Sequence, residues 1–391
     1  MGAKTSWIRI GLPVAVAVAL LIRLLCFRYE SNDYLRFLHV WVEEFRAGGG
    51  LAALRTTTSD YNLPYLYFLA LLSYLPVPDL YMIKLLSVVF DLVLAFTLYR
   101  IVARHAPDKP GAAFVVCTAA LLWPTFLLNS AFWAQCDSIF TAFCLLSFSN
   151  ILAKRPKTAV ILAGLAFAFK LQAIFFLPVF IIFLIAKRVR LWHALLFPLP
   201  YIVFSLPALA YGWPVLRILS IYAGQAGQYP YLALNAPSVF AFFPLITPYQ
   251  PYAVIGMVLA LLFLLALFWH AFKQREKIDD VALAAYAAVI TLGLPWLLPA
   301  MHDRYFYTAE VFALLYVAFR PKLWPLALLA LTGSLGCYHA YLTARLSDRL
   351  WPFALAMLAA LVTALISLML YDPEPLKVTA KGRKSKTKRK K

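Results

Sequence analysis

Long apolar runs, interrupted at intervals by short basic clusters, dominate the pattern of the chain. Runs at 8–27, 81–102, 191–211, 252–272, 281–299, 323–343 and 351–370 are each about 20 residues long, which matches a hydrocarbon core about 30 Å thick. Basic residues gather at Lys4 with Arg9, at 100–109, in AKRPK (153–157), in AKRVR (186–190), in KQREK (273–277), in RPK (320–322) and in the C-terminal tail. Between neighbouring clusters there is room for two crossings, out and back. An excess of Lys and Arg marks cytoplasmic loops, so the spacing predicts that all the clusters face inward, that both termini are cytoplasmic and that the number of spans is even. The expected fold is an all-α polytopic bundle of about 12 transmembrane helices.

The shorter segments complete that outline. The first exoplasmic segment, 28–79, contains YLRFLHVWVEEFR, in which Tyr34, Phe37, Leu38, Trp41 and Phe45 share one helical face while Glu43 and Arg46 fall opposite. This pattern predicts an interfacial helix, ended by AGGG at 47–50. LPYLYFLALLSYL (63–75) is too short to span and is expected to re-enter or to lie along the interface. The run 112–128 leads out to the tight turn NSAFWAQCDS (129–138), and 139–153 leads back. Residues between Lys157 and Lys187 must cross twice, so they are expected to form two short helices that meet near Lys170 and Gln172. A second long exoplasmic segment, 212–251, is rich in Tyr and Pro.

Composition narrows the class. Of 391 residues 63% are hydrophobic and 14% charged, with a mean hydropathy of +0.79, where a soluble domain has about 25% charged residues. The net charge of +19 is concentrated in KVTAKGRKSKTKRKK and in short loops, which suits contact with an anionic leaflet and membrane lipid, not nucleic acid. The chain divides into a membrane domain, 1–371, and a basic, disordered cytoplasmic tail, 372–391. The cysteines are odd in number, at 26, 117, 136, 144 and 337, and lack metal-ligand or disulfide-framework spacing. The first apolar run has no small-residue cleavage site and reads as a retained helix.

Charged and amide groups at membrane depth are costly and therefore informative. Nearly all the uncommon ones fall at the exoplasmic ends of helices: Asp33, Lys84, Gln135, Asp137, Lys170, Gln172, His302, Asp303 and Arg304. Asp33, just after the first span, reads either as a helix N-cap or as a catalytic acid. Trp133, Gln135 and Asp137 are packed into one very short turn. Lys170 lies about 13 residues past a cytoplasmic anchor, roughly 20 Å into the bilayer, so it must meet an anion or a polar cavity. Lys84 and Asp91, seven apart on one helix face, read as a buried structural pair. MHDRYFY (301–307) places His, Asp and Arg at a helix mouth, and Arg with His suits a phosphate. No phosphate-loop, dinucleotide, HExxH or nucleophile-elbow motif occurs.

Taken in order, these residues resemble a family pattern. Asp33 is followed by Y-x-x-P-Y-L-Y (61–67), I-K-L-x-S-x-x-x-D (83–91), P-x-x-x-x-N-S-x-x-W-x-Q-x-D-S (124–138), a K-x-Q-A break at 170–173, N-A-P-S at 235–238 and M-H-D-R-Y-x-Y at 301–307. The chain resembles the GT-C superfamily of polytopic glycosyltransferases, in particular the prokaryotic mannosyltransferase-like proteins related to the enzyme adding the second mannose of the GPI anchor. The resemblance covers about 1–370, with Ala134 standing where Gly is usual and with N-D-Y lacking a second adjacent carboxylate. It implies inverting transfer of a hexose, mannose by preference, from a polyprenyl-phosphate donor to a glycan, lipid or protein acceptor. Asp33 would be the base. Lys170, His302 and Arg304 would hold the donor phosphate. Gln135 and Asp137 would orient sugar hydroxyls or a divalent metal (Mg or Mn). Trp133 and Tyr305 would stack on the sugar, and Gln172, Asn235 and Asp303 would complete the substrate side. The two long exoplasmic segments would cover the acceptor. A multi-pass protein of a bacterial plasma membrane with an exoplasmic site is expected. The alternatives are a transporter or flippase of lipid-linked saccharides, which would ordinarily leave inverted repeats not seen here, and an assembly subunit of an envelope-polysaccharide machine.

Overall fold

The computed structural model describes residues 6–244, 246–343 and 349–373; Lys4 and the basic tail from 374 onward lie outside the described residues. The chain runs through α1 (Ser6–Cys26), α2 (His39–Ala47), α3 (Leu63–Leu72), α4 (Asp79–His105), α5 (Pro110–Leu122), α6 (Pro124–Leu127), α7 (Asp137–Leu152), α8 (Pro156–Phe169) and α9 (Val179–Ile185). It continues with α10 (Leu199–Ala210), α11 (Val215–Gly227), β1 (Ala233–Leu234), α12 (Tyr252–Lys273), α13 (Asp280–Leu297), β2 (Met301–His302), α14 (Tyr307–Phe319), α15 (Trp324–Leu342) and α16 (Trp351–Met369). Proline stands at the first turn of α3, α5, α8, α15 and α16, where its fixed φ suits the helix and its missing N–H is no loss.

Six helical stretches among the described residues are long and apolar enough to cross a membrane, one of them the 191–210 stretch that ends in α10, and a seventh span forms if 110–122 and 124–132, bent by 43°, count as one. The chain is an all-α membrane protein. The expectation of about 12 spans additionally counts shorter apolar helices, Asp137–Leu152, Pro156–Phe169 and Leu171–Ile185 among them. Of these, α7 has most of its residues shielded by neighbouring helices, so it meets protein on nearly every side. The break expected near Lys170 is present: α8 ends at Phe169, Lys170 is fully extended (φ −155°, ψ 136°), and a 3-10 turn follows at 171–175.

The first long segment differs from its expected form. Before α2 the chain makes a wide π turn at 34–38, which shifts the face by one residue and leaves Phe37 exposed. Tyr34, Leu38, Trp41, Val42 and Phe45 are buried in a cluster with Leu63, Leu66 and Leu69 of α3, so this stripe is covered by protein. Gly49 and Gly50, at φ +77° and +69°, turn the chain out of α2. The second long segment joins the first: Trp213 Nε1 donates to the Leu54 carbonyl, Arg217 to that of Thr57 and Gln225 to that of Asp60.

The expected Lys84–Asp91 pair does not form. Lys84 instead donates to the carbonyls of Cys26, Phe27 and Tyr29 at 3.0, 3.1 and 2.6 Å, satisfying the orphan acceptors where α1 ends. Asp91 pairs with Arg23 at 3.0 Å, a 1% exposed charge inside the first apolar run that the sequence reading passes over. Both groups sit on α4, but α4 meets different neighbours at its two levels, and each charge takes the nearest partner there.

Candidate active site

Asp33 follows α1, yet it does not cap the next turn. Ser31 does: its Oγ accepts from the Tyr34 N–H at 3.1 Å and its carbonyl from Leu35 at 3.0 Å. The Asp33 side chain makes no capping bond. It accepts instead from Trp133 Nε1 (3.0 Å) and Gln135 Nε2 (2.6 Å) on one oxygen, and from the Tyr341 hydroxyl (2.5 Å) on the other. Three donors from two distant segments therefore fix the carboxylate's orientation.

The turn between α6 and α7 supplies most of the support. A π turn at 128–132 and Ala134 at φ +66° fold it tightly enough to aim Trp133, Gln135 and Asp137 toward the same end of the bundle. The left-handed φ at Ala134 explains why glycine suits this position. The Asp137 carboxylate takes Lys170 Nζ at 2.5 Å on one oxygen, with Asn129 Nδ2 at 2.8 Å and Arg304 Nε at 3.6 Å on the other. Trp133 stacks on Tyr341 at 4.7 Å, meets Tyr338 edge-on at 5.2 Å and lies under the Arg304 guanidinium at 5.6 Å.

The loop after α13 contributes the rest. A short parallel ladder pairs Ala233 with Met301 and Leu234 with His302, and Asn235 bridges to His302, so the second long segment is tied to the MHDRYFY loop. Asn235 and Ala300 both adopt left-handed φ, +57° and +59°. Arg304 stands 3.8 Å from Asp33, 3.6 Å from Asp137 and 3.9 Å from Asp303. Its buried Nε has no hydrogen-bond partner among the described residues, and the three carboxylates lie at ion-pair rather than hydrogen-bond distance from the guanidinium. Burial, with Arg304 and Lys170 nearby, pushes the His302 imidazole down to about 3, so it is neutral and offers one N–H. Burial pushes the Asp303 carboxyl up to about 8 against the opposing pull of Arg304, so it is protonated at neutral pH.

These groups surround a cavity of about 530 Å³, a size typical of small-molecule sites. Asp33, Gln135, Lys170, Gln172, Asn235, His302, Asp303, Arg304 and Tyr305 all line it. Trp133 and Asp137 do not. Both are essentially unexposed and stand one layer behind, Trp133 against Asp33 and Asp137 against Lys170, so Trp133 is not the sugar-stacking surface expected from its residue type. Gln135 and Gln172 line the cavity, and the buried Oε1 of each has no hydrogen-bond partner among the described residues. Tyr341 and Tyr338 escape the sequence reading, since both lie in an otherwise ordinary apolar helix and carry no local signal; Asn129 enters it only as part of the 124–138 motif, without a role.

A divalent metal does not fit this donor set. Among the described residues no three His, Cys, Asp or Glu side chains converge on one point. Both oxygens of Asp137 already face Lys170, Asn129 and Arg304, and a cation there would meet two positive charges.

No protein-family model matches the chain. Over 154 residues it is 28% identical to GPI mannosyltransferase 1 of Dictyostelium discoideum, a stretch covering 38% of this chain and 32% of that protein. The chain thus spans about a third of the length of the curated relative it matches. That relative is a GPI mannosyltransferase 1, whereas the sequence pattern pointed toward proteins related to the second-mannose enzyme.

Proposed function

We propose that this chain is a membrane mannosyltransferase that moves a hexose from a polyprenyl-phosphate donor to an exoplasmic glycan, lipid or protein acceptor with inversion. The observation that carries the reading is the meeting of an acid and two cations, Asp33, Lys170 and Arg304, from three separate segments at one cavity. The partial similarity to a mannosyltransferase supports the same class.

In this reading the acceptor hydroxyl lies against Asp33, which takes its proton as the oxygen attacks the anomeric carbon. The carbon–oxygen bond to the donor phosphate breaks, and the negative charge that develops on the phosphate is met by the Arg304 fork, by the Lys170 ammonium protons not directed at Asp137, and by the neutral His302 N–H. Gln135 and Gln172 accept sugar hydroxyls, and Tyr305 offers a ring face. Trp133 and Asp137 hold the machinery in place without touching sugar. The basic loops at 153–157 and 186–190 are cytoplasmic, about 12 segments cross or re-enter the bilayer, and the cavity opens outward.

The test is transfer of radiolabelled mannose from a polyprenyl-phosphate-mannose donor in proteoliposomes that also hold total glycolipid and glycan extracts as acceptors. Wild type should transfer, and Asp33→Asn should lose the activity while retaining donor binding. Equal turnover by wild type and Asp33→Asn would remove Asp33 as the base. Donor translocation without transfer would establish a flippase instead.

A further inference from the structure

The helical hairpin whose apex carries Lys170 has a second cavity at its opposite end, of about 190 Å³. Val160 of α8, Phe180 and Leu184 of the returning arm, and Leu191, Ala194 and Phe197 beyond it enclose the space; Arg190 is its one charged lining residue. The short helix at 191–196 leaves Leu191, Trp192 and Leu195 largely exposed, as expected where a surface faces lipid.

The cations at this mouth are arranged unequally. Lys187 and Arg188 are paired with Glu276 and Asp280 at 3.8 and 3.0 Å. Lys157 and Arg190 have no carboxylate partner among the described residues, and both lie near His193: Lys157 through the Trp192 ring, Arg190 through its backbone N–H. Lys157 Nζ lies 5.2 Å over the Trp192 ring, Trp192 is 4.2 Å from His193, and His193 Nδ1 accepts from the Arg190 N–H at 3.0 Å. Arg190 thus lines the apolar cleft, and Lys157, one turn before the lining residue Val160, lies over Trp192, which follows the lining residue Leu191.

We infer that this cleft holds one acyl chain of an anionic phospholipid, whose headgroup phosphate sits between Lys157 and Arg190. The apolar wall has nothing to offer a free phosphate beyond the two cations, while a chain fills it and delivers the phosphate at the right end. A basic pocket between helices at the membrane surface is a recurrent way of holding anionic headgroups. Zwitterionic lipids carry a cation that the same two side chains repel. The site rests on the 156–197 segment alone and does not depend on the catalytic reading, so either can fail without the other. Because both arms of the hairpin start here and end at Lys170, the chain props apart the arms that position that lysine.

Native mass spectrometry of the full-length protein, titrated with dioleoyl phosphatidylglycerol or dioleoyl phosphatidylcholine, tests the inference. Wild type should hold one phosphatidylglycerol selectively. The exposed double variant Lys157→Gln/Arg190→Gln should bind it about thirtyfold more weakly, equal to about 2 kcal/mol. Leu184→Trp, which fills the cleft but leaves the cations, should lose the selective site as well, with an unchanged unfolding temperature marking an intact fold. Equal binding of the two lipids by wild type, or full retention of phosphatidylglycerol by either variant, would overturn it.

Discussion

The hydroxyl of Tyr341 donates to Asp33 across 2.5 Å, joining residues 308 positions apart in the chain. One end of α15 therefore clamps the acid that follows α1, and Trp133, stacked on the same tyrosine, donates to the acid's other oxygen. The carboxylate is thus held at the cavity wall by Trp133, which lies behind the wall, and by Gln135 and Tyr341, which line it.

Removing the clamp should therefore affect turnover more than substrate affinity. Tyr341→Phe is expected to lower kcat about tenfold with little change in KM, because Gln135 and Trp133 still orient Asp33. Asp33→Asn is expected to lose about 10²–10⁴, the usual contribution of a general base. Steady-state kinetics on both variants checks the order; a larger loss for Tyr341→Phe than for Asp33→Asn would contradict it.

The Lys170–Asp137 pair is buried at the apex of a broken helical hairpin. Asp137→Leu leaves Lys170 as a buried charge without its carboxylate and should cost about 3–5 kcal/mol, whereas Lys170→Met leaves Asp137 with Arg304 and Asn129 and should cost less. The double variant should be distinctly more stable than Asp137→Leu, since the lone Lys170 charge is gone. Unfolding in mixed SDS micelles, read as a double-mutant cycle, measures the difference.

Ala134 occupies a left-handed backbone conformation in the turn that aims Trp133, Gln135 and Asp137. Ala134→Gly should stabilise the folded protein by about 1 kcal/mol, the approximate penalty of that conformation for a residue with a Cβ. The same unfolding assay reads it, and activity should be unchanged.

Asp303 gives the site a pH dependence of known sign. Its folded-state value, about 8, is above its ordinary 3.8, so folding favours the protonated form. Its stabilising contribution is complete below about pH 4, declines as pH rises, and is exhausted once the folded carboxyl ionises near pH 8. The unfolding temperature of wild type should thus fall relative to Asp303→Asn between about pH 4 and 8, and the gap should level off above that. A gap that does not change across this range would refute the assignment.

Much of this protein is legible without coordinates. Apolar run lengths dictate helices, because a backbone in lipid must satisfy its own hydrogen bonds. The need for two crossings between Lys157 and Lys187 predicts a break near Lys170, and the depth of that lysine calls for an anion or a polar cavity. The structure has an extended residue between two helical arms, with Asp137 beside it and the cavity in front. Of the rare polar groups that the sequence places toward one end of the bundle, Asp33, Gln135, Lys170, Gln172, His302, Asp303 and Arg304 line one cavity, while Asp137 stands behind it and Lys84 is spent on the end of α1.

What folding alone decided is who faces whom. Helical periodicity says which face a residue occupies but not which helix lies against it. Lys84 and Asp91 share α4, yet one serves the carbonyls at the end of α1 and the other pairs with Arg23, 68 residues away. Asn129 reaches Tyr338 over a separation of 209, and Trp133 turns its indole to Asp33 and its face to Tyr341 instead of to the cavity. Such pairings arise from the angles at which helices cross and from the few ångströms over which a buried charge can find a partner, quantities that no local stretch of residues encodes.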